Sequence, residues 1–96
     1  MKMKFEIKRT KAFRKSYKLC EKRGLNMDLL DDVVFQLANG LQLPVKYRDH
    51  QLQGKFKEFR ECHIEPDWLL IYKFDNDKLV LTLTNTGSHS DLFRNY

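Results

Sequence analysis

No stretch of this 96-residue chain is apolar for long enough to cross a bilayer. The longest apolar run, Trp68 to Tyr72, falls far short of the roughly 20 residues that a membrane helix needs. Cysteine occurs only at positions 20 and 62, with neither a CxxC pair nor zinc-type spacing. That excludes a disulfide framework and predicts two reduced thiols in a cytoplasmic protein, with Cys62 as a small core residue. Glycine and proline are scarce, and no Pro/Ser/Gly-rich stretch marks a linker or a disordered segment. The opening Met1-Lys2-Met3-Lys4 leads into an alternating pattern and not into an apolar core, so no secretory signal is expected. Neither HxH nor HExxH occurs, and the histidine spacing is long and irregular, so no metal or other cofactor is expected. Acidic residues are in deficit, 13 against 18 basic ones, which leaves a formal charge of +5. That balance favours a polyanionic partner. A membrane partner is not expected, because the amphipathic segments are too hydrophilic to insert.

The length and even composition predict a single domain, residues 1–96. Met3 to Ile7 alternates as a half-buried strand does. Thr10 can cap a helix reaching about Arg23, whose inner stripe is Phe13, Tyr17 and Cys20. Gly24 ends it, and Asn26 caps a second helix, Met27 to Asn39, with Leu30, Val33, Val34 and Leu37 inside. The short connection implies an antiparallel helix pair. Leu41 to Gln53 reads as a loop. Three strands follow: Phe56 to Ile64, Trp68 to Phe74 and Leu79 to Thr84, with turns at Pro66-Asp67 and Asp75-Asn76-Asp77. The expected fold is therefore α+β, in the order β-α-α-β-β-β, with two antiparallel helices on one face of an antiparallel sheet and the other face partly open.

All three histidines lie in the second half: His50, His63 and His89. Histidine is the side chain best placed to exchange protons near neutral pH. On the first of the three strands Phe59, Glu61 and His63 share one face, and Arg60, Cys62 and Ile64 the other. Asp67, at the following turn, is within plausible reach of His63. His50 precedes that strand and His89 follows the last one, so both are expected to converge on one end of the sheet. On a small basic domain this set predicts acid-base chemistry on an anionic substrate. Taken singly, each residue has an ordinary structural explanation. His63 can be a hydrogen-bonded strand residue, His89 a helix cap, Asp67 a turn residue, and Trp68 and Phe93 core aromatics.

Three segments together carry a resemblance. They are Tyr47-Arg48-Asp49-His50-Gln51-Leu52-Gln53-Gly54, then Arg60-Glu61-Cys62-His63-Ile64-Glu65-Pro66-Asp67-Trp68-Leu69-Leu70-Ile71-Tyr72, and Thr86-Gly87-Ser88-His89-Ser90-Asp91-Leu92-Phe93. In this order and spacing the chain resembles the YafQ branch of the RelE/ParE toxin superfamily, over nearly its whole length. The resemblance implies the toxin of a type II toxin–antitoxin pair, a ribosome-dependent endoribonuclease that cuts messenger RNA in the A site without a metal. It implies catalytic roles for His50, His63, Asp67 and His89, and places Trp68 and Phe93 beside them. The expected partners are the ribosome, its message and a cognate antitoxin with a ribbon-helix-helix part and an acidic toxin-binding tail. The family pattern commonly has an arginine, as a phosphate clamp, where this chain has Asn85. Either Lys46, Arg48, Lys55 or Arg94 supplies that charge, or activity is reduced, or the protein was altered to make it tolerable to its host. Arg60 joins Arg48 and Lys55 as a candidate substrate-binding cation. Two other readings stay open: a non-cleaving binding protein of the same fold, and a toxin acting on a protein target.

Overall fold

A computed structural model of the protein describes residues 3–93. Strand β1 is Glu6–Arg9, helix α1 Lys11–Lys22 and helix α2 Met27–Ala38. A two-residue strand β2, His50–Gln51, comes next, followed by β3 (Arg60–Glu65), β4 (Trp68–Asp75), β5 (Val80–Gly87) and a short helix α3 (His89–Phe93). The five strands form one sheet in the order β1-β5-β4-β3-β2.

The helices begin where their caps predict. The Thr10 hydroxyl accepts from the Phe13 amide at 2.9 Å, and the Asn26 side chain accepts from Asp28 at 3.1 Å. Each cap satisfies an amide that would otherwise have no helical partner. Phe13 and Cys20 of α1 and Leu30, Val33, Val34, Leu37 and Ala38 of α2 enter one core. Cys62, Ile64, Leu70, Tyr72, Leu81 and Leu83 enter it from the sheet. Burying each large aliphatic or aromatic group contributes roughly 1.5–3 kcal/mol before the entropy of ordering is subtracted. Helix α1 also shields β5 beyond the end of β1. The Thr10 hydroxyl donates to the Thr84 carbonyl at 2.7 Å and the Ser16 hydroxyl to Asn85 at 2.6 Å.

The α+β class is as expected; β1 lies a few residues later than expected and β5 runs on to Gly87, and three further differences bear on the site. First, the sheet is mixed. β1 pairs with β5 in parallel, Glu6 opposite Val80 through Arg9 opposite Leu83, while all other pairs are antiparallel. Alternation reveals that a strand exists but not its neighbour, and here the first strand pairs with the last. Second, His50–Gln51 pairs with Glu61 and Arg60 inside the expected loop; two residues are too few to show a period. Third, β3 starts at Arg60 and not at Phe56, because Gly54–Phe56 winds into a 3-10 turn. Two register shifts lie close to residues of interest. One falls between His63 and Glu65 of β3, the other opposite Ile71 and Tyr72 of β4, near Asn85. Bulges of this kind re-aim side chains at strand ends.

Candidate active site

The histidines do converge, on the face of the sheet turned away from the main core. His63 stands in the middle. Its ring centroid is 6.5 Å from that of His50 and 5.6 Å from that of His89. The three come from β2, β3 and the start of α3. They meet because β2 pairs with β3 while the β3–β4 turn lies beside the end of β5.

Asp67, at that turn, holds His89 and not His63. Its Oδ1 accepts from His89 Nδ1 at 2.6 Å and from the His89 backbone amide at 2.9 Å. These bonds, the backbone one first, hold the Asp67 carboxyl below its ordinary range. A carboxylate can only accept, so Nδ1 carries hydrogen and Nε2 is left for other chemistry. His50 is oriented in the same way by a different acceptor. Its Nδ1 donates to the Arg48 carbonyl at 2.8 Å. Arg48 sits in the left-handed region, φ 49°, a conformation uncommon for a non-glycine residue. Its carbonyl is thereby turned toward the ring of His50.

Between His50 and His63 lies Glu61, only 7% exposed. One of its oxygens is 3.5 Å from His63 Nε2 and 3.7 Å from His50 Nε2. A buried carboxylate needs a compensating group, and it is the counter-ion of whichever imidazole carries a proton. The sequence placed Glu61 on the His63 face but did not single it out as a site residue. The signal was present in that shared face, together with an acidic residue two positions before a histidine on a strand.

α3 is fixed by a reciprocal cap. The Asp91 amide donates to Ser88 Oγ at 3.0 Å, and the Ser88 amide donates to Asp91 Oδ2 at 2.9 Å. Arg23 reaches across from the end of α1 with two hydrogen bonds to Asp91, at 2.6 and 3.2 Å. Arg23 and then the Ser88 amide hold the Asp91 carboxyl well below the carboxylate range. A side chain at Gly87 would place its Cβ 2.9 Å from Asp91, at a φ of +151°, so glycine is required there. Because the folded state depresses this carboxyl, its anchoring contribution is fully present above the ordinary value of about 4 and fades as pH falls below it. Protection of the α3 amides, relative to their intrinsic exchange rates, should therefore fall selectively below about pH 4, and Asp91→Asn should produce the same loosening at neutral pH. Equal protection of α3 at pH 3 and pH 7 would contradict this.

The other expected substrate-binding residues divide. Arg48 lines, with Lys46, Tyr47, His63, Ile64 and Glu65, a cleft of about 400 Å³ beside the histidines. Trp68 is 2% exposed and its indole N–H donates to Thr86 at 3.0 Å, so it supports the site from the core and offers almost no surface to a substrate. Arg60 points to the other side of β3, as alternation requires, and donates to Asp49 at 3.1 Å. Lys55 lies over the Phe56 ring in the 3-10 turn, 5.2 Å from its centroid. Asn85 accepts from Ser16 and from the Thr86 amide, so its carbonyl is committed to α1 and its own strand. Phe93 ends α3, half-buried. Arg94 lies outside the described residues. Among the described residues no group of three or more His, Cys, Asp and Glu side chains is arranged to hold a metal ion. No helix among them is long and apolar enough to cross a membrane.

Comparison with known proteins converges on one family. The family described as the bacterial toxin of type II toxin–antitoxin system, YafQ, matches residues 5–94. The mRNA interferase toxin YafQ of Escherichia coli strain K12 is 44% identical over 89 residues, which cover 92% of this chain and 95% of that protein. In the crystal structure of the E. coli DinJ-YafQ toxin-antitoxin complex, the matching chain superposes with a TM-score of 0.87 at 39% identity, covering 95% of this chain and 99% of that one. A metal-bound toxin from Helicobacter pylori also superposes with a TM-score of 0.87, at 44% identity over 93% of this chain and 99% of that one.

Proposed function

The chain belongs to the YafQ family of type II toxin–antitoxin toxins, and we propose that it is an endoribonuclease that cuts messenger RNA in the ribosomal A site by metal-independent acid-base chemistry. The observation that carries this reading is the row of three imidazoles. The outer two, His50 and His89, each have Nδ1 tied to an acceptor and Nε2 turned away from it.

His50 Nε2 takes the proton from a ribose 2′-OH. The 2′-oxygen attacks the adjacent phosphorus, and the bond from phosphorus to the 5′-oxygen breaks. His89 Nε2, in its protonated form, gives its proton to that oxygen, leaving a 2′,3′-cyclic phosphate and a 5′-hydroxyl. Asp67, engaged twice by His89, orients the acid, and that engagement favours His50 over Asp67 as the base. His63, between the two, donates to the phosphate, and Glu61 serves as its counter-ion. Arg48 and Lys46 bring positive charge to the phosphoryl oxygens from the adjoining cleft. Phe93 offers its ring to a base of the message.

A translation reaction with purified ribosomes and one reporter message tests the whole reading. Added protein should produce discrete cuts within codons, and EDTA at levels that spare the ribosomes should leave the protein's own turnover unchanged. Arrest of translation without cleavage would favour the non-cleaving binding protein. Gyrase poisoning would favour the protein-directed toxin.

The assignment of charge to the cleft makes a further prediction. Arg48→Ala should lower cleavage about a hundred-fold or more, the usual scale for one transition-state donor. Asn85→Arg should give no gain, since it removes the contact with Ser16 and leaves the Arg48 cleft as it was. A large gain from Asn85→Arg would return the phosphate clamp to that position.

The partner proposed is an antitoxin with a ribbon-helix-helix part and an acidic tail. A groove of about 550 Å³ runs between β1, α1 and α2, floored by Ile7, Phe13 and Val34 and lined by Arg9, Arg14 and Lys18 against a single acidic residue, Asp31, which accepts from the Tyr17 hydroxyl. At its edge Phe35 is 58% exposed. An acidic amphipathic segment fits this arrangement, with apolar anchors on the floor and carboxylates at the rim. Phe35→Asp should weaken antitoxin binding roughly thirty-fold, as loss of an anchor worth about 2 kcal/mol does. Binding should also weaken as salt rises. Unchanged affinity in calorimetry, with the variant folded, would move the tail elsewhere.

A further inference from the structure

One polar cluster lies outside the row of histidines. Asp49, immediately before His50, accepts hydrogen bonds from the Tyr72 hydroxyl and from Arg60, the latter at 3.1 Å. Tyr72 is fully buried on β4, the middle strand of the sheet. Its ring packs edge-on against Phe74, 5.6 Å between centroids. Burial, reinforced by Asp49, raises the Tyr72 phenol far above its ordinary range, so the hydroxyl remains a donor at any physiological pH.

We infer that Asp49, held by Tyr72 and Arg60, is a positioning residue that presents His50 to the substrate. The inference rests on the assignment of His50 as the base. β2 is an edge strand of two residues, too short to hold a side chain in one place by backbone pairing alone. His50 is itself half-exposed, so little packs around its ring. Successive residues of a strand point to opposite faces. Asp49, just before β2, reaches the core side, where Tyr72 and Arg60 bind it, and His50 is delivered to the other side opposite Glu61. The Asp49 contacts also fix the segment in which Arg48 keeps its left-handed conformation, and with it the carbonyl that orients His50 Nδ1. Tyr72 thus connects the buried middle strand of the sheet to its short edge strand.

The test is a double-mutant cycle with a spectroscopic readout on the full chain. Asp49→Ala should lower the single-turnover cleavage rate about a hundred-fold, the cost of a misplacement on the order of 1 Å. Tyr72→Phe, which keeps the buried ring and loses only the hydroxyl, should lower it about ten-fold and unfold cooperatively as the wild type does. If Asp49 acts through His50, then adding Asp49→Ala to His50→Ala costs nothing further. In imidazole NMR of the free protein, either variant should shift His50 Nδ1 and leave His89, held by Asp67, where it was. Full additivity in the cycle, or a His50 resonance unmoved by both variants, overturns the inference. If His50→Ala cleaves as well as wild type, the assignment of the base fails instead, and the NMR comparison still decides whether Asp49 holds the ring.

Discussion

His89→Ala should lower message cleavage by about a hundred- to ten-thousand-fold, the range that one general acid contributes. The 5′-oxygen of RNA is a poor leaving group unless a proton reaches it as the bond breaks. On our reading His89 is the imidazole whose Nδ1 side is closed by a carboxylate and whose Nε2 serves that oxygen. Asp67→Asn should approach this loss. An amide can turn its N–H₂ toward the ring, and the Nδ1–H would then lose its acceptor. The bond from the His89 backbone to Asp67 weakens as well, so the start of α3 shifts along with the ring. Two measurements check this: single-turnover cleavage on programmed ribosomes, and the same assay on a message with a 5′-thio leaving group at the cut site. Sulfur leaves without protonation, so the His89→Ala defect should largely vanish on that substrate. If the defect persists there, His89 is not the acid.

Free RNA should be cut at least about a hundred-fold more slowly than the same message under translation. The site explains why. Its two outer histidines are about half-exposed, and the adjoining cleft is small. Nothing in such a shallow surface can hold a flexible strand with its 2′-oxygen in line with the bond to be broken. An ångström of misplacement costs on the order of a hundred-fold, so an unheld strand is a poor substrate. A ribosome holding the A-site codon would supply that positioning, and the net charge of +5 favours docking on ribosomal RNA. Rates measured at matched salt with naked and translated message decide the matter. Equal rates would mean that the protein positions RNA by itself and that the ribosome is not required.

Much of this arrangement was legible before any coordinates. Thr10 and Asn26 have the chemistry of helix caps, and both helices start where those caps stand. Capping depends on groups a few residues apart, so sequence spacing contains the information. The shared face of Glu61 and His63, and the opposite face of Arg60 and Cys62, follow from the period of two in a strand. Buried residues such as Phe13, Leu30 and Cys62 were marked by their own chemistry and spacing. The convergence of the three histidines could be anticipated from element order, although their spacing in space could not.

What the sequence left undetermined depends on which strands are neighbours. The parallel pairing of β1 with β5 joins residues more than seventy positions apart, and no local pattern encodes it. Asp67 lies four residues from His63 and 22 from His89, yet it bonds to His89, because the pairing of β4 with β5 brings Gly87 opposite Leu69 beside that turn. Arg60 carries the charge that a substrate-binding residue needs, but alternation turns it to the Asp49 side. Trp68 lies beside the candidate residue Asp67 in sequence and inside the core in space. The sequence by itself determined which groups could do the chemistry and which face of each element they occupy, since these depend on residue type and local period. Only the tertiary structure decided which carboxylate serves which histidine, because that is set by strand register and by contacts between residues distant in the chain.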